Sequence, residues 1–312
     1  MPKFKKILFL SQGTSDTRES LGQSIRLAWS NKASLTGLLV CPRLPDDMRN
    51  YEVQYEQWLL ETLQTSIEES LGEHNMTEED MTFPIKLLAA DKPAVQAIKY
   101  VLDKQIDLVV KDAEGYQSKT RGLRAVDMNL LRKCPCPVWL NRPSEKPRIK
   151  QRVAVAVNPN ATTDEERILS IRLLQLARSI ADSCDSRLHV VSCWEYQLEH
   201  YLEDHVWIRV SEQELEQQIE HAKQQHIEAL QSLIHESTIE GDIVLHHLHG
   251  TADEEIPNCV DENEIDVLVM GTLARTGIPG VVIGNTAENI LQSVGCSLVA
   301  LKPESFHSPI EE

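Results

Sequence analysis

Basic residues are scarce in this 312-residue chain: 31 lysines and arginines face 48 aspartates and glutamates, for a formal net charge of −17. A field of that sign repels phosphate backbones and anionic lipid, so nucleic acid and membrane surfaces are not expected partners. Aromatics make up only 5%. No apolar run approaches the length needed to span a bilayer. The opening segment MPKFKKILFLSQ has an apolar run too short for a signal h-region, with no small-residue cleavage pattern after it. Seven cysteines is an odd number, and none lies in a C-x-x-C or paired zinc spacing, which points to reduced thiols in the cytoplasm. G-x-S-x-G and Walker A are also missing, so no catalytic residue is assigned. With 48 carboxylates, proximity in sequence cannot identify an acid/base pair.

What is present is a duplication. KKILFLSQ (5–12) parallels RVAVAVNP (152–159), QIDLVVKD (105–112) parallels EIDVLVMG (264–271), and LLRKCPCPVWLNRP (130–143) parallels ILQSVGCSLVALKP (290–303). Similar spacings between these segments indicate two copies of one domain, 1–143 and 151–304, joined through the proline-bearing NRPSEKPRIK (141–150). Strands are expected at Ile7–Leu10, Leu35–Val40, Ile85–Leu88, Leu108–Val110 and Val138–Leu140. The second copy repeats them at Val153–Val157, Leu188–Cys193, Ile243–Leu248, Val267–Met270 and Ser297–Leu301. These apolar runs alternate with amphipathic segments, the pattern of a parallel sheet covered on both faces. One helix follows Thr162 and Thr163, with Ile168, Ile171, Leu174 and Ala177 on its apolar side and Glu165 and Glu166 completing a capping box. A long helix carries Leu215, Ile219, Ile227, Leu230 and Ile234 on one side, with His221, His226 and His235 solvated. Thr251 with Glu254 forms a second capping box.

The stretch VLVMGTLARTGIPGVVIGNTAENIL ends an apolar strand in a glycine-bearing loop and leads into a helix. In an open parallel sheet the carboxyl ends of the strands hold ligands, and backbone N–H groups at a helix N-terminus suit an anion. Here Asn285 is expected to cap the helix, with Glu288 closing the cap. The competing reading is that the glycines only turn the chain. His247 and His249 share one face of a strand, where histidines on a sheet surface are the better reading than metal ligands. Cys136 and Cys296 match each other before the last strand of each copy and read as core.

That loop, with VAVAVNPN and LLRKCPCPVW, resembles the universal stress protein family, and the whole chain resembles its tandem-domain, E-type branch. The resemblance implies two tandem Rossmann-like (adenine nucleotide alpha hydrolase-like) domains of α/β class, each a five-stranded parallel sheet with helices on both faces, paired through their last strands. It implies a cytoplasmic stress-response role and a loop of the form Gly, two residues, Gly, nine residues, Gly, Ser/Thr that holds ATP. Gly271 and Gly284 keep the pattern. Ala274 replaces the middle glycine, and Asn285, followed by Thr286, replaces the hydroxyl residue. Arg275 continues the usual run, and Asn158 stands where the family has an aspartate at the end of the first strand. The implied ligand-binding set is therefore Asn158, Gly271, Ala274, Arg275, Gly284, Asn285 and Thr286. ATP, with its Mg, is the implied cofactor, and no other metal is expected. In the first copy Gln12 matches Asn158 and Asp112 matches Gly271, so that copy is expected to be degenerate, although Lys119, Arg121 and Arg124 form a basic run. The expected partners are a small-molecule ligand and the other half of the same chain, with a homodimer of chains as an option. The alternative is a scaffold or sensor holding another ligand, apolar in character, or a protein. A slow ATP hydrolase is the third reading, for which nothing places a general base.

Overall fold

The computed structural model describes residues 4–13, 18–77, 79–114, 123–144, 146–196, 212–272 and 283–310. In the first half the elements run β1 (Lys6–Ser11), α1 (Arg18–Asn31), β2 (Ser34–Cys41), α2 (Glu52–Glu73), β3 (Ile85–Ala89), α3 (Pro93–Lys104), β4 (Leu108–Asp112), α4 (Ala125–Lys133) and β5 (Val138–Asn141). The second half repeats them as β6 (Val153–Ala156), α5 (Asp164–Ser183), β7 (Leu188–Trp194), α6 (Glu212–Glu236), β8 (Ile243–His249), α7 (Ala252–Glu262), β9 (Val267–Gly271), α8 (Asn285–Ser293) and β10 (Ser297–Leu301). All ten expected strands form within a residue or two of their expected limits. Runs of Val, Ile and Leu leave no polar face, so each strand has to be covered on both sides.

The ten strands make one sheet in the order β3-β2-β1-β4-β5-β10-β9-β6-β7-β8. The halves are not interleaved. Each contributes five parallel strands, and the two sets meet at β5 and β10, the single antiparallel pair. The register at this seam is Leu298↔Leu140, Val299↔Trp139 and Ala300↔Val138. Trp139 therefore lies opposite its own counterpart Val299, and the flanking pairs exchange under a two-fold rotation, as in a self-complementary interface. Lys302 Nζ donates to the Cys134 carbonyl at 2.8 Å. At the other end Arg142 N donates to Ser297 Oγ, and that hydroxyl donates back to the Arg142 carbonyl.

Alternate strand residues enter two cores, one on each face. Ile7, Phe9, Val153 and Val155 pack with α1, α2, α5 and α6, whereas Leu8, Leu10, Ala154 and Leu268 pack with α3, α4, α7 and α8. Both cores run across the seam. The buried stripe of α5 is Leu169, Leu173, Leu176 and Ile180 together with Leu174 and Ala177, and the expected core residue Ile168 is exposed. A one-residue rotation of the apolar arc accounts for the difference. Thr163 caps α5, its hydroxyl accepting from Glu166 N at 3.2 Å, while the Glu166 carboxylate accepts from Thr162 N at 2.7 Å. Thr251 occupies the cap position of α7 without a side-chain hydrogen bond, so that expected capping box does not form. The first-turn amides of Glu254 and Glu255 close on the Thr251 carbonyl instead.

His226 is not solvated. It is 4% exposed, and its Nδ1 lies 2.9 Å from His247 Nε2. On the other face His189 Nδ1 lies 2.9 Å from His246 Nε2. His247 and His249 do share a face, where both stack on Trp194. Among the described residues no group of three or more His, Cys, Asp or Glu could hold a metal ion, and no helix is long and apolar enough to cross a membrane. All seven cysteines are free. Cys136 and Cys296 are both buried, as the core reading expects.

Candidate functional site

The carboxyl ends of β6 and β9 lie side by side because the two strands pair in parallel, Ala156 opposite Met270. Asn158 follows β6 and Gly271 ends β9 at the same edge of the sheet. Gly271 packs closely, since a Cβ there would meet Leu169 Cδ2 at 3.2 Å. Asn158 is exposed, and its side-chain oxygen accepts from Asn160 N at 2.9 Å, a local turn. The residue standing in for the family's aspartate thus engages its own backbone.

The two ends of the glycine loop are tied together. Thr272 N donates to the Leu301 carbonyl at 3.1 Å, and Gly284 N donates to the Thr272 carbonyl at 3.3 Å. Gly271 and Gly284 are therefore brought close together at the end of β9. Ala274 and Arg275 fall within 273–282 and lie outside the described residues. Gly284, not Asn285, occupies the cap of α8, with extended backbone (φ −70°, ψ 148°) and no side-chain cap hydrogen bond. Asn285 and Thr286 are the first two helical residues and are exposed. The expected Asn285–Glu288 cap does not form because Glu288 is drawn across the seam, where its carboxylate pairs with Arg132 of the first half. Among the described residues no side chain accepts from the amides of Asn285, Thr286 or Ala287. Among the described residues this helix end offers first-turn N–H groups without a side-chain acceptor and the positive end of its dipole.

The equivalent place in the first half is full. Asp112 occupies the position of Gly271, and its neighbour Lys111 donates from Nζ to Asp127 Oδ1 at 2.9 Å in an almost fully buried ion pair. The second oxygen of Asp127 accepts from Glu114 N at 2.6 Å. Glu114 closes the circuit: its carboxylate accepts from Val126 N, at the start of α4, at 3.1 Å. An internal carboxylate thus sits on the helix amide that a bound anion would use. Burial pushes the Asp112 carboxyl up to about 7, against the opposing pull of Ser20, Lys111 and Asn141. Burial likewise raises Asp127, while the Lys111 charge pulls it down. Of the basic run, Arg124 is an exposed cap residue of α4, and Lys119 and Arg121 lie outside the described residues. Sequence reasoning identified Asp112 as an intruder but missed the Lys111–Asp127–Glu114 circuit. The one available signal was that Asp127 and Ala287 are each the third residue of equivalent helices, as Lys111 and Met270 are equivalent in the strands.

Comparison with known proteins agrees with this architecture. The model of the Universal stress protein family matches residues 3–142 and 162–302. Universal stress protein E of Salmonella typhi is 27% identical over 240 residues, covering 75% of this chain and 73% of that protein. The Universal stress protein E homolog of Haemophilus influenzae is 25% identical over 96% of this chain and 98% of its own length. Among solved structures, a chain from Pseudomonas aeruginosa UCBPP-PA14 superposes with a TM-score of 0.70 at 22% identity, covering 96% of this chain and 94% of its own. A universal stress protein from Archaeoglobus fulgidus does so with a TM-score of 0.62 at 13% identity, covering 97% and 98%. With one family match in each half and tandem relatives aligned along nearly the full length, the chain belongs to the universal stress protein family.

Proposed function

We propose that the protein is a cytoplasmic, ligand-binding regulator of the stress response, not an enzyme, whose second half binds ATP or a related nucleotide weakly. The observation that carries this reading is the contrast between the two helix ends: the first-turn amides of α8 have no side-chain acceptor among the described residues, whereas in α4 Glu114 already holds Val126 N. A phosphate group approaching α8 meets unpartnered donors and a favourable dipole, worth about 0.3–1 kcal/mol per charge at an exposed site. Two departures weaken the site. Asn158 supplies no carboxylate and Asn285 no hydroxyl, each removing a hydrogen bond worth about 1 kcal/mol net, with a tenfold loss in affinity for every ~1.4 kcal/mol.

Calorimetric titration with Mg-ATP tests the proposal. The unmodified chain should bind weakly, and Ala274→Gly combined with Asn285→Ser should bind about tenfold tighter. Gly284→Val should abolish binding by crowding the ligand's approach, since φ at Gly284 is open to any residue, while Asp112→Ala should leave binding intact. Failure of the double variant to gain affinity would favour the second reading, a pocket committed to a ligand other than ATP.

A further inference from the structure

A cavity of about 200 Å³ lies at the seam, between α1, the segment that joins the halves and the starts of β9 and β10, where Val267 and Ser297 line it. Glu19, Gln23 and Arg26 of α1 line one wall, Trp139 and Asn141 of β5 the floor, and Lys146 and Arg148 the outer rim. Glu19, Gln23 and Arg26 are spaced to fall on one helix face. The volume is below the range of roughly 300–1,000 Å³ usual for drug-sized ligands, so a nucleotide does not fit. It is ample for a small ion and its water.

The lining is rich in donors and poor in acceptors. Arg26 uses Nη1 on His74 Nε2 at 3.0 Å and Nη2 on Gln23 Oε1 at 2.9 Å, neither of them a carboxylate, while His74 Nδ1 is engaged with the Ser70 carbonyl. Its Nε is buried and has no partner. No carboxylate lies within ion-pair distance of Arg26 or Arg148 among the described residues. Burial first, and the Arg148 charge second, lower the proton affinity of Arg26, against the opposing pull of Glu19. Trp139, 3% exposed, has an indole Nε1–H with no acceptor. Lys146 is already committed to Asp266 at 3.2 Å. Glu19 is the one carboxylate in the lining. It accepts only long hydrogen bonds from Ser144 N, at 3.3 and 3.4 Å, and burial raises its proton affinity. Buried donors without acceptors, and a half-buried guanidinium whose nearby Glu19 carboxylate attracts it without forming an ion pair, are costly arrangements in a folded protein.

We infer that this cavity is a second ligand site, separate from the glycine loop, which takes a small oxyanion of phosphate size between Arg26, Arg148 and the indole N–H of Trp139. The cation pair supplies the charge, the planar guanidinium groups match the geometry of an oxyanion, and the indole donor fixes its position at the seam. Because the rim belongs to the joining segment and the floor to β5, occupancy would tie that segment to the sheet.

The test is titration of the full chain with inorganic phosphate, read by the indole N–H resonance of Trp139, which Trp139→Phe assigns by deletion, and by thermal unfolding. The resonance should shift and saturate, and the melting temperature should rise. Arg148→Gln, at a half-exposed rim position that leaves the fold intact, should weaken binding at least tenfold, and Arg26→Gln should do the same. Gly284→Val, in the other half's loop, should leave the Trp139 shift unchanged, which separates this site from the proposed nucleotide site. Acetate in place of phosphate distinguishes a requirement for a tetrahedral dianion from acceptance of any carboxylate. No shift of the indole resonance, or a shift that survives both arginine changes, would overturn the inference and leave the cavity to water.

Discussion

The two halves share strand order, helix placement and buried alternation, yet they treat one spot differently. At the end of β9 the chain leaves a glycine and an open helix end, while at the end of β4 it places Asp112 beside the buried Lys111–Asp127 pair and lets Glu114 hold the helix amide. The lesson is that the fold needs the first turn of this helix to be satisfied, but does not specify by what. One copy meets the need with the Glu114 carboxylate, and in the other no side chain among the described residues does so.

The sharpest way to break the comparison is to rewrite the first half in the terms of the second. Asp127→Ala alone removes the carboxylate facing the buried Lys111 ammonium, leaving it the Asp112 carbonyl at 2.7 Å, and should cost about 3–5 kcal/mol, the usual penalty for removing one member of a buried ion pair. Lys111→Met together with Asp127→Ala, which copies Met270 and Ala287, should recover most of that loss. Urea unfolding midpoints of the single and double variants read this directly. A double variant no more stable than the single one would mean that the circuit holds more of the fold than its counterpart implies.

A smaller effect, on the order of 1–2 kcal/mol after allowing for screening, should separate the halves by pH. In the second half, burial first and the partner imidazole second push His189 and His226 down to about 4, from an ordinary 6.5. The folded state resists their protonation, so this contribution is whole above pH 6.5 and is lost as the pH falls toward 4. His246 and His247 are lowered as well, chiefly by burial, and add in the same direction. Asp112 does the reverse. Its folded value near 7 lies above the ordinary 3.8, so its contribution is whole below about 3.8 and is lost as the pH rises through 7. Amide exchange of the whole chain at pH 5 and pH 8 should show β8 loosening in acid and β4 loosening in base. Asp112→Asn should stabilise the protein more at pH 8 than at pH 5. Parallel behaviour of both strands would erase the distinction.

The smallest effect concerns the bridge between the halves. Arg132 and Glu288 are each more than a third exposed, so Arg132→Ala should cost less than about 1 kcal/mol. That loss should vanish in high salt, as a comparison of melting temperatures with and without 1 M NaCl will show.

The strands were readable because a doubly covered parallel strand has to be apolar throughout, and ten such runs leave few alternatives. The matching of the copies then followed from spacing, so that Asp112 and Gln12 could be set against Gly271 and Asn158 before any geometry was known. The interior arrangement was less readable. Asp127 lies sixteen residues from Lys111 and is one of 48 carboxylates. His226 lies on a helix that is largely exposed, and its burial comes with a contact to His247 of β8, twenty-one residues away, that no local rule anticipates. The cap lies at Gly284, one residue before Asn285, and Glu288 pairs with Arg132 in the other half, a pairing across 156 residues that no local rule anticipates.

The seam between β5 and β10 has a consequence for concentration. Two separate domains meeting edge to edge would pair only above their dissociation constant, and each would present a bare strand edge below it. Here the short segment after Asn141 tethers one edge to the other, and a short tether of this kind sets an effective concentration on the order of millimolar. Pairing is then independent of how much protein a cell holds. A first half whose loop position is filled by its own side chains can persist as a permanently attached neighbour, keeping the second half's last strand covered at any dilution.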